Sequence, residues 1–294
     1  MQAPFGQVVT AMVTPFDAAG AVDYGQAWAL ARFLVDSGSD GVLVCGTTGE
    51  SPTVSDDEKA GLLRTVVEAV GGEAKVLAGT GTYDTAHSIH MTELAAAAGC
   101  HGALAVTPYY SKPPQNGLLR HFTAIADATD LPVLLYNIPG RTSRRIEIET
   151  LVRLARHPQI AAVKDAVEDI GFTSRTVEAV GEDMAVYSGS DYITLPVLAV
   201  GGVGVVSVAS HLAGPQIARM VAAATSGDWV EAQRLHHALM PLFDSLFLEP
   251  NPIPLKAGLN ALWGKVGDPR LPLVSASDET RRRVEDALGR VQQI

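Results

Sequence analysis

Cysteine is scarce in this chain: Cys45 and Cys100 are the only two among 294 residues. Two thiols supply neither a disulfide framework nor metal-ligand spacing. Each follows an apolar or alanine-rich stretch, which predicts buried free thiols in a reducing compartment. Charge is also sparse. Only 18% of residues are charged, with 32 acidic against 22 basic, and the formal net charge is −10. A nucleic-acid surface needs a basic face. The densest basic run, Arg281-Arg282-Arg283, is interleaved with Glu279 and Glu285 as on a solvated helix. No apolar run reaches the ~20 residues of a membrane span. The opening residues, Met1-Gln2-Ala3-Pro4-Phe5, lack the basic and apolar segments of a secretory leader. The expectation is a soluble, cytoplasmic protein with no nucleic-acid or membrane partner.

What is plentiful is hydrophobic residues, at 47%. They fall into short runs separated by helical spacing. Strand candidates are Val8 to Val13, Gly41 to Cys45, Lys75 to Ala78, Gly102 to Val106, Pro132 to Tyr136, Ile160 to Lys164, Met184 to Tyr187 and Val203 to Val208. Between them, Tyr24 to Ser37 has apolar residues at Ala27, Leu30, Ala31, Leu34 and Val35. Ser55 with Glu58 forms a capping box that starts a helix running to about Val70. Further helices are expected over Asp84 to Ala98, up to about Ala128, over Ile146 to Arg156 and beyond Pro215. Eight strands alternating with helices predict an α/β fold, best fitted at this length by a closed (β/α)8 (TIM) barrel. A doubly wound open sheet fits less well. Its dinucleotide fingerprint is missing, and Gly201-Gly202-Val203-Gly204 lies ahead of or within a strand. The barrel should span residues 1–225. Residues 226–294 read as a C-terminal helical extension packed on it, with helices over Asp228 to Phe247, Pro254 to Trp263 and Asp278 to Val291.

Chemistry in such a barrel collects at the C-terminal ends of the strands. Lys164 closes the sixth strand. If that end opens into a cavity, desolvation lowers the ammonium pKa, and a neutral amine can attack a carbonyl to form an imine. The same rim should carry Thr47 and Thr48 after strand two, Tyr109 and Tyr110 after strand four, Tyr136 at the end of strand five and Arg141 beyond it. Each has an ordinary structural reading alone: a threonine bonding locally, a packing aromatic, a surface ion pair. Together they suit one chemistry. Imine formation needs proton transfers that a tyrosine hydroxyl can shuttle through neighbouring hydroxyls, and an arginine fork can hold a carboxylate. His87 and His90 share a helix but lack a third ligand, so they read as surface residues.

Gly46-Thr47-Thr48-Gly49-Glu50, Thr107-Pro108-Tyr109-Tyr110, Tyr136-Asn137-Ile138-Pro139-Gly140-Arg141-Thr142 and Val163-Lys164-Asp165 occur in that order, followed by Glu249-Pro250-Asn251-Pro252-Ile253-Pro254. From about Gly6 to the C-terminal helices, the chain resembles the dihydrodipicolinate synthase family. That family lies within the pyruvate-dependent class I aldolase and N-acetylneuraminate lyase superfamily. The resemblance implies a lyase that forms a Schiff base between pyruvate and Lys164, then adds L-aspartate 4-semialdehyde to give 4-hydroxy-tetrahydrodipicolinate, on the route to diaminopimelate and lysine. It assigns proton transfer to Tyr136 with a relay through Thr47 and Tyr110. Thr48 and the Val206 main chain would hold pyruvate, and Arg141 the semialdehyde carboxylate. It implies no metal or organic cofactor. It also implies a homotetramer built as a dimer of dimers, with Tyr110 reaching into a neighbouring subunit's site. Members inhibited by lysine tend to carry histidine, asparagine and glutamate where this chain has Asp56 or Lys59, Tyr83 and His87, while Ser51 and Tyr109 match. Weak or absent lysine feedback is therefore expected. The alternatives are a sialic-acid or keto-deoxy sugar-acid aldolase of the same superfamily and a non-catalytic barrel that binds a small acid. A metal-dependent hydrolase or class II aldolase is disfavoured by the lack of paired ligands at strand ends.

Overall fold

Strand β6 (Ile160–Asp165) shows how this chain builds its barrel. Successive residues of a strand point to opposite faces. Ala162 packs among inward-facing residues, and Val163 packs outward among the helices. Lys164, one residue on, therefore points inward again. The computed structural model describes residues 2–294 and repeats this alternation around the ring. Val9, Ala11, Leu43, Leu77, Leu104, Leu134, Tyr136, Ala185, Tyr187 and Val206 fill the interior. Val8, Val42, Val76, Ala105, Leu135, Val186 and Val205 face the helical shell.

The elements alternate as expected. They are β1 (Val8–Ala11), α1 (Tyr24–Asp36), β2 (Gly41–Val44), α2 (Asp56–Val70), β3 (Lys75–Gly79), α3 (Thr85–Ala97), β4 (Gly102–Val106) and α4 (Gln115–Asp127). Then come β5 (Val133–Asn137), α5 (Pro139–Thr142), α6 (Ile148–Ala155), β6, α7 (Ile170–Val180), β7 (Ala185–Ser188), α8 (Thr194–Ala199), β8 (Gly204–Ser207) and α9 (Ser210–Ser226). The strands pair in parallel in chain order, and β8 closes on β1 through Val9 and Val206. This is the predicted (β/α)8 barrel.

Local signals explain most boundaries. Ser55 and Glu58 form both bonds of the capping box that starts α2. Asp23, Asp84 and Asp169 cap α1, α3 and α7 through their side chains. Gly171 lies one residue inside α7. The helix expected beyond Pro215 begins earlier, at Ser210. Its first turn is set apart by Ala213, whose φ of −137° is not helical, so Pro215 falls near the start of the second segment, where its missing N–H costs little.

Three helices follow: α10 (Trp229–Leu246), α11 (Ile253–Leu262) and α12 (Asp278–Val291). One apolar cluster joins Val8, Met12 and Leu30 of the barrel to Leu239, Phe243, Leu259 and Leu288 of these helices. Each such leucine contributes roughly 1.5–3 kcal/mol by leaving water. Glu50 and Lys256 add a buried ion pair across the same junction, Nζ to Oε1 2.7 Å. Cys45 and Cys100 are buried free thiols.

Candidate active site

Tyr136 and Lys164 are register partners on β5 and β6. Both point inward near the C-terminal ends of their strands, so their side chains meet at the barrel mouth. Lys164 Nζ lies 4.2 Å from the centre of the Tyr136 ring, and both residues are only 5% exposed. Burial holds the Lys164 amine down to about 7; the Asp191 carboxylate pulls it up, and the Arg141 charge pushes it further down. At neutral pH roughly half of such an amine is unprotonated, against about one in three thousand for an ordinary lysine. Burial pushes the Tyr136 phenol up to about 12, against the pull of Arg141 and a hydrogen bond from Thr47. The phenol is therefore protonated at neutral pH and stands ready to donate.

The turn after β2 supplies the threonines. Cys45 and Glu50, at its two ends, both hold left-handed φ, 57° and 56°. Gly49 leaves little room for a side chain, because a Cβ would sit 3.1 Å from Cys45 N and from Met12 O, closer than backbone atoms ordinarily allow. The turn is thus pressed against the ends of β1 and β2. It leaves Thr47 on the cavity wall and Thr48 buried beside it. Glu50 is tied down on the far side: Oε2 accepts from Arg270 N–H at 2.8 Å, and Oε1 faces Lys256.

Arg141 sits on the single-turn helix α5. Asn137 pins both feet of that excursion, donating to Ile146 O at 3.1 Å and accepting from Ile146 N–H at 3.0 Å. Thr142 Oγ1 braces it against Ile138 O and Arg144 O. Arg141 is exposed, lines the cavity and has no carboxylate partner among the described residues. The cavity holds about 540 Å3 and runs from Tyr136, Thr47 and Arg141 outward to Ser51, Asp56, Lys59, Tyr83, His87 and Tyr109.

Val206 is buried on β8, facing inward. The exit of β8 is held by Asp191, which accepts from Ser207 Oγ (2.5 Å), Val208 N–H (3.0 Å) and Ala209 N–H (2.9 Å). His211 clamps the same exit to β1. Its Nδ1 bonds Val208 O at 2.8 Å, and its Nε2 accepts from Val13 N–H at 3.2 Å. Burial holds that imidazole down to about 4, so it stays neutral.

Of the seven residues expected in the site, Thr47, Tyr136 and Arg141 line this cavity, Lys164 lies buried against the Tyr136 ring, Thr48 is buried next to Thr47, and Val206 is buried in the same inward-facing cluster as Tyr136. Tyr110 is not among them. It is 93% exposed, with a φ of 68°, and its ring stands away from the chain's own cavity. Sequence reasoning missed Asp191, the buried carboxylate nearest in influence to Lys164. It also gave no role to Asn251, whose Nδ2 donates to Thr48 Oγ1 at 2.9 Å. The one available signal for Asp191 was a carboxylate three residues past the end of a strand.

The model of the "Dihydrodipicolinate synthetase family" matches residues 4–291. The chain belongs to this family. Among members of the dihydrodipicolinate synthetase family, the 4-hydroxy-tetrahydrodipicolinate synthase of Synechococcus sp. (strain CC9605) is 55% identical over 291 residues, covering 99% of this chain and 96% of that one. Dihydrodipicolinate synthase from Cyanidioschyzon merolae, solved with lysine bound, is 45% identical with a TM-score of 0.97, covering all of both chains. Dihydrodipicolinate synthase DapA-2 from Bacillus anthracis is 44% identical with a TM-score of 0.95, covering 98% of this chain and 99% of that one.

Proposed function

We propose that this family member condenses pyruvate with L-aspartate 4-semialdehyde to give 4-hydroxy-tetrahydrodipicolinate, through an imine on Lys164. The observation that carries the residue assignment is the Lys164 amine, buried at the barrel mouth over the Tyr136 ring and held near neutrality.

The unprotonated amine attacks C2 of pyruvate. Water leaves the carbinolamine, and the imine loses a C3 proton to become an enamine. That carbon attacks the aldehyde of the second substrate. The substrate's own amino group then displaces the lysine and closes the ring. Tyr136 donates and accepts the protons, worth roughly 10²–10⁴-fold for general acid–base catalysis. Thr47 hands them on. Thr48 holds the pyruvate carboxylate beside the Val206 main chain, and Arg141 holds the semialdehyde carboxylate as a charged fork.

Tyr110 completes the relay in a neighbouring copy, within a homotetramer assembled as a dimer of dimers. An aromatic ring held out at 93% exposure next to the rim supports that reading. Residues 226–294 serve as a supporting region on the barrel. No helix is long and apolar enough to cross a membrane among the described residues, and we place the enzyme in the cytoplasm with the rest of this route.

Borohydride reduction in the presence of pyruvate, followed by peptide mass mapping, tests the mechanism. A single pyruvyl adduct on Lys164, lost in Lys164→Ala, is expected. An adduct elsewhere, or none, overturns it. Cleavage of N-acetylneuraminate or 2-keto-3-deoxygluconate, rather than turnover of pyruvate with aspartate semialdehyde, would reassign the substrate while keeping the imine.

A further inference from the structure

Thr48 and Asn251 lie 203 positions apart, yet their side chains meet in the interior, Asn251 Nδ2 donating to Thr48 Oγ1 at 2.9 Å. Both residues are buried, at 3% and 7% exposure. The Asn251 Oδ1 atom is also buried and has no hydrogen-bond partner among the described residues.

A threonine hydroxyl carries one proton and two acceptor positions. An amide N–H that occupies an acceptor position leaves the proton free to be donated elsewhere, and polarises the O–H bond in the direction that strengthens the donation. A carboxylate can only accept. The asparagine therefore gives the hydroxyl the polarity that a bound keto acid requires.

The contact is also held in place. Lys256 lies five residues beyond Asn251, and its Nζ is 2.7 Å from Glu50, two residues beyond Thr48. Lys256 Nζ also sits 4.2 Å above the Phe16 ring and donates to Asp268 O at 3.3 Å. Residues 251–256 and 48–50 are thus joined at two points, which fixes the amide relative to the hydroxyl.

We infer that Asn251 is a positioning residue for the keto acid: it sets the Thr48 hydroxyl as a donor toward the substrate carboxylate. The inference rests on the reading that Thr48 binds that carboxylate. Neither the amine nor the second substrate is involved, so the effect should fall on one kinetic constant.

The test is steady-state kinetics on the full-length enzyme for Asn251→Ala, Thr48→Val and the double variant. Asn251→Ala should raise KM for pyruvate roughly 3- to 10-fold, the usual net worth of one hydrogen bond, and leave KM for the semialdehyde within twofold. In the Thr48→Val background, Asn251→Ala should add less than twofold, because the hydroxyl through which it acts is gone. Asn251→Asp, nearly isosteric, should raise KM for pyruvate further by setting a carboxylate near the substrate's own. It carries the same comparison if Asn251→Ala does not fold. If Thr48→Val raises KM for pyruvate and the Asn251 variants do not, this inference alone fails. It fails equally if the two substitutions multiply independently. If Thr48→Val leaves KM for pyruvate unchanged, the Thr48 assignment fails.

Discussion

The Lys164 amine and the Tyr136 ring are 4.2 Å apart because two adjacent strands place inward-facing residues in register. The contact removes the amine from water while keeping a phenol at hand. Its first consequence is a pH dependence. The amine is held at about 7, and only its neutral form attacks pyruvate. The rate of borohydride trapping with pyruvate should rise with pH through about 7 and level off above it. Asp191 is the charge that pulls this pKa up, so Asp191→Asn should move the midpoint to lower pH. A midpoint above pH 9 in the parent enzyme would remove desolvation as the source of activation.

Tyr136→Phe keeps the ring over the amine and removes only the hydroxyl. We expect turnover to fall roughly 10²–10⁴-fold, with slow but detectable imine trapping. Full speed in this variant would assign the proton transfers to another group.

Arg141→Ala should separate the two substrates. Losing a charged hydrogen-bonding fork should raise KM for the semialdehyde by about 10- to 100-fold, while pyruvate still traps on Lys164. Because the Arg141 charge helps hold the amine down, the trapping midpoint should shift slightly upward. An unchanged semialdehyde KM would move the second carboxylate site elsewhere.

Lys256 and Glu50 are each about 2% exposed at the side chain. Lys256→Met leaves the Glu50 carboxylate buried without its partner, which costs about 3–5 kcal/mol in similar sites. Chemical denaturation should show this loss. The pair Lys256→Met with Glu50→Gln should lose less, because no uncompensated charge remains and the amide oxygen can still accept from Arg270 N–H.

Lysine should inhibit weakly or not at all. The outer cavity has one carboxylate, Asp56, and it is already engaged: Oδ1 lies 3.6 Å from Lys59 Nζ and Oδ2 lies 2.8 Å from His87 Nε2. A second ammonium would meet the Lys59 charge with no free anion to receive it. Sub-millimolar inhibition in initial-rate assays would refute this.

The barrel was legible in the sequence because parallel strands covered on both faces read as short apolar runs. Lys164 stood out as the charge that ends one of them. Ser55 with Glu58 fixed a helix start for the same local reason. What was not legible depends on distant segments meeting. Nothing near Asp191 marks it as a buried charge that acts on Lys164, and the Asn251 to Thr48 bond exists only once the segment leading into α11 docks on the barrel. Helices α7 and α8 were not among those expected, and the six residues of α8 are too few to show a period. Tyr110 was singled out by its neighbours in a motif, but a single chain gives its ring nothing to face.

Asn137 ties the two feet of the Arg141 excursion together. The eight residues between those ties, Ile138 to Arg145, form a cassette hung outside the barrel, whereas Lys164, the proposed nucleophile, is built into a strand. On the proposed assignment, the choice of aldehyde and the activation of the ketone therefore occupy separate stretches of chain. Drift within the cassette can alter which acceptor is taken without disturbing the amine, and a library confined to it is the economical place to look for new carbon–carbon bond-forming partners.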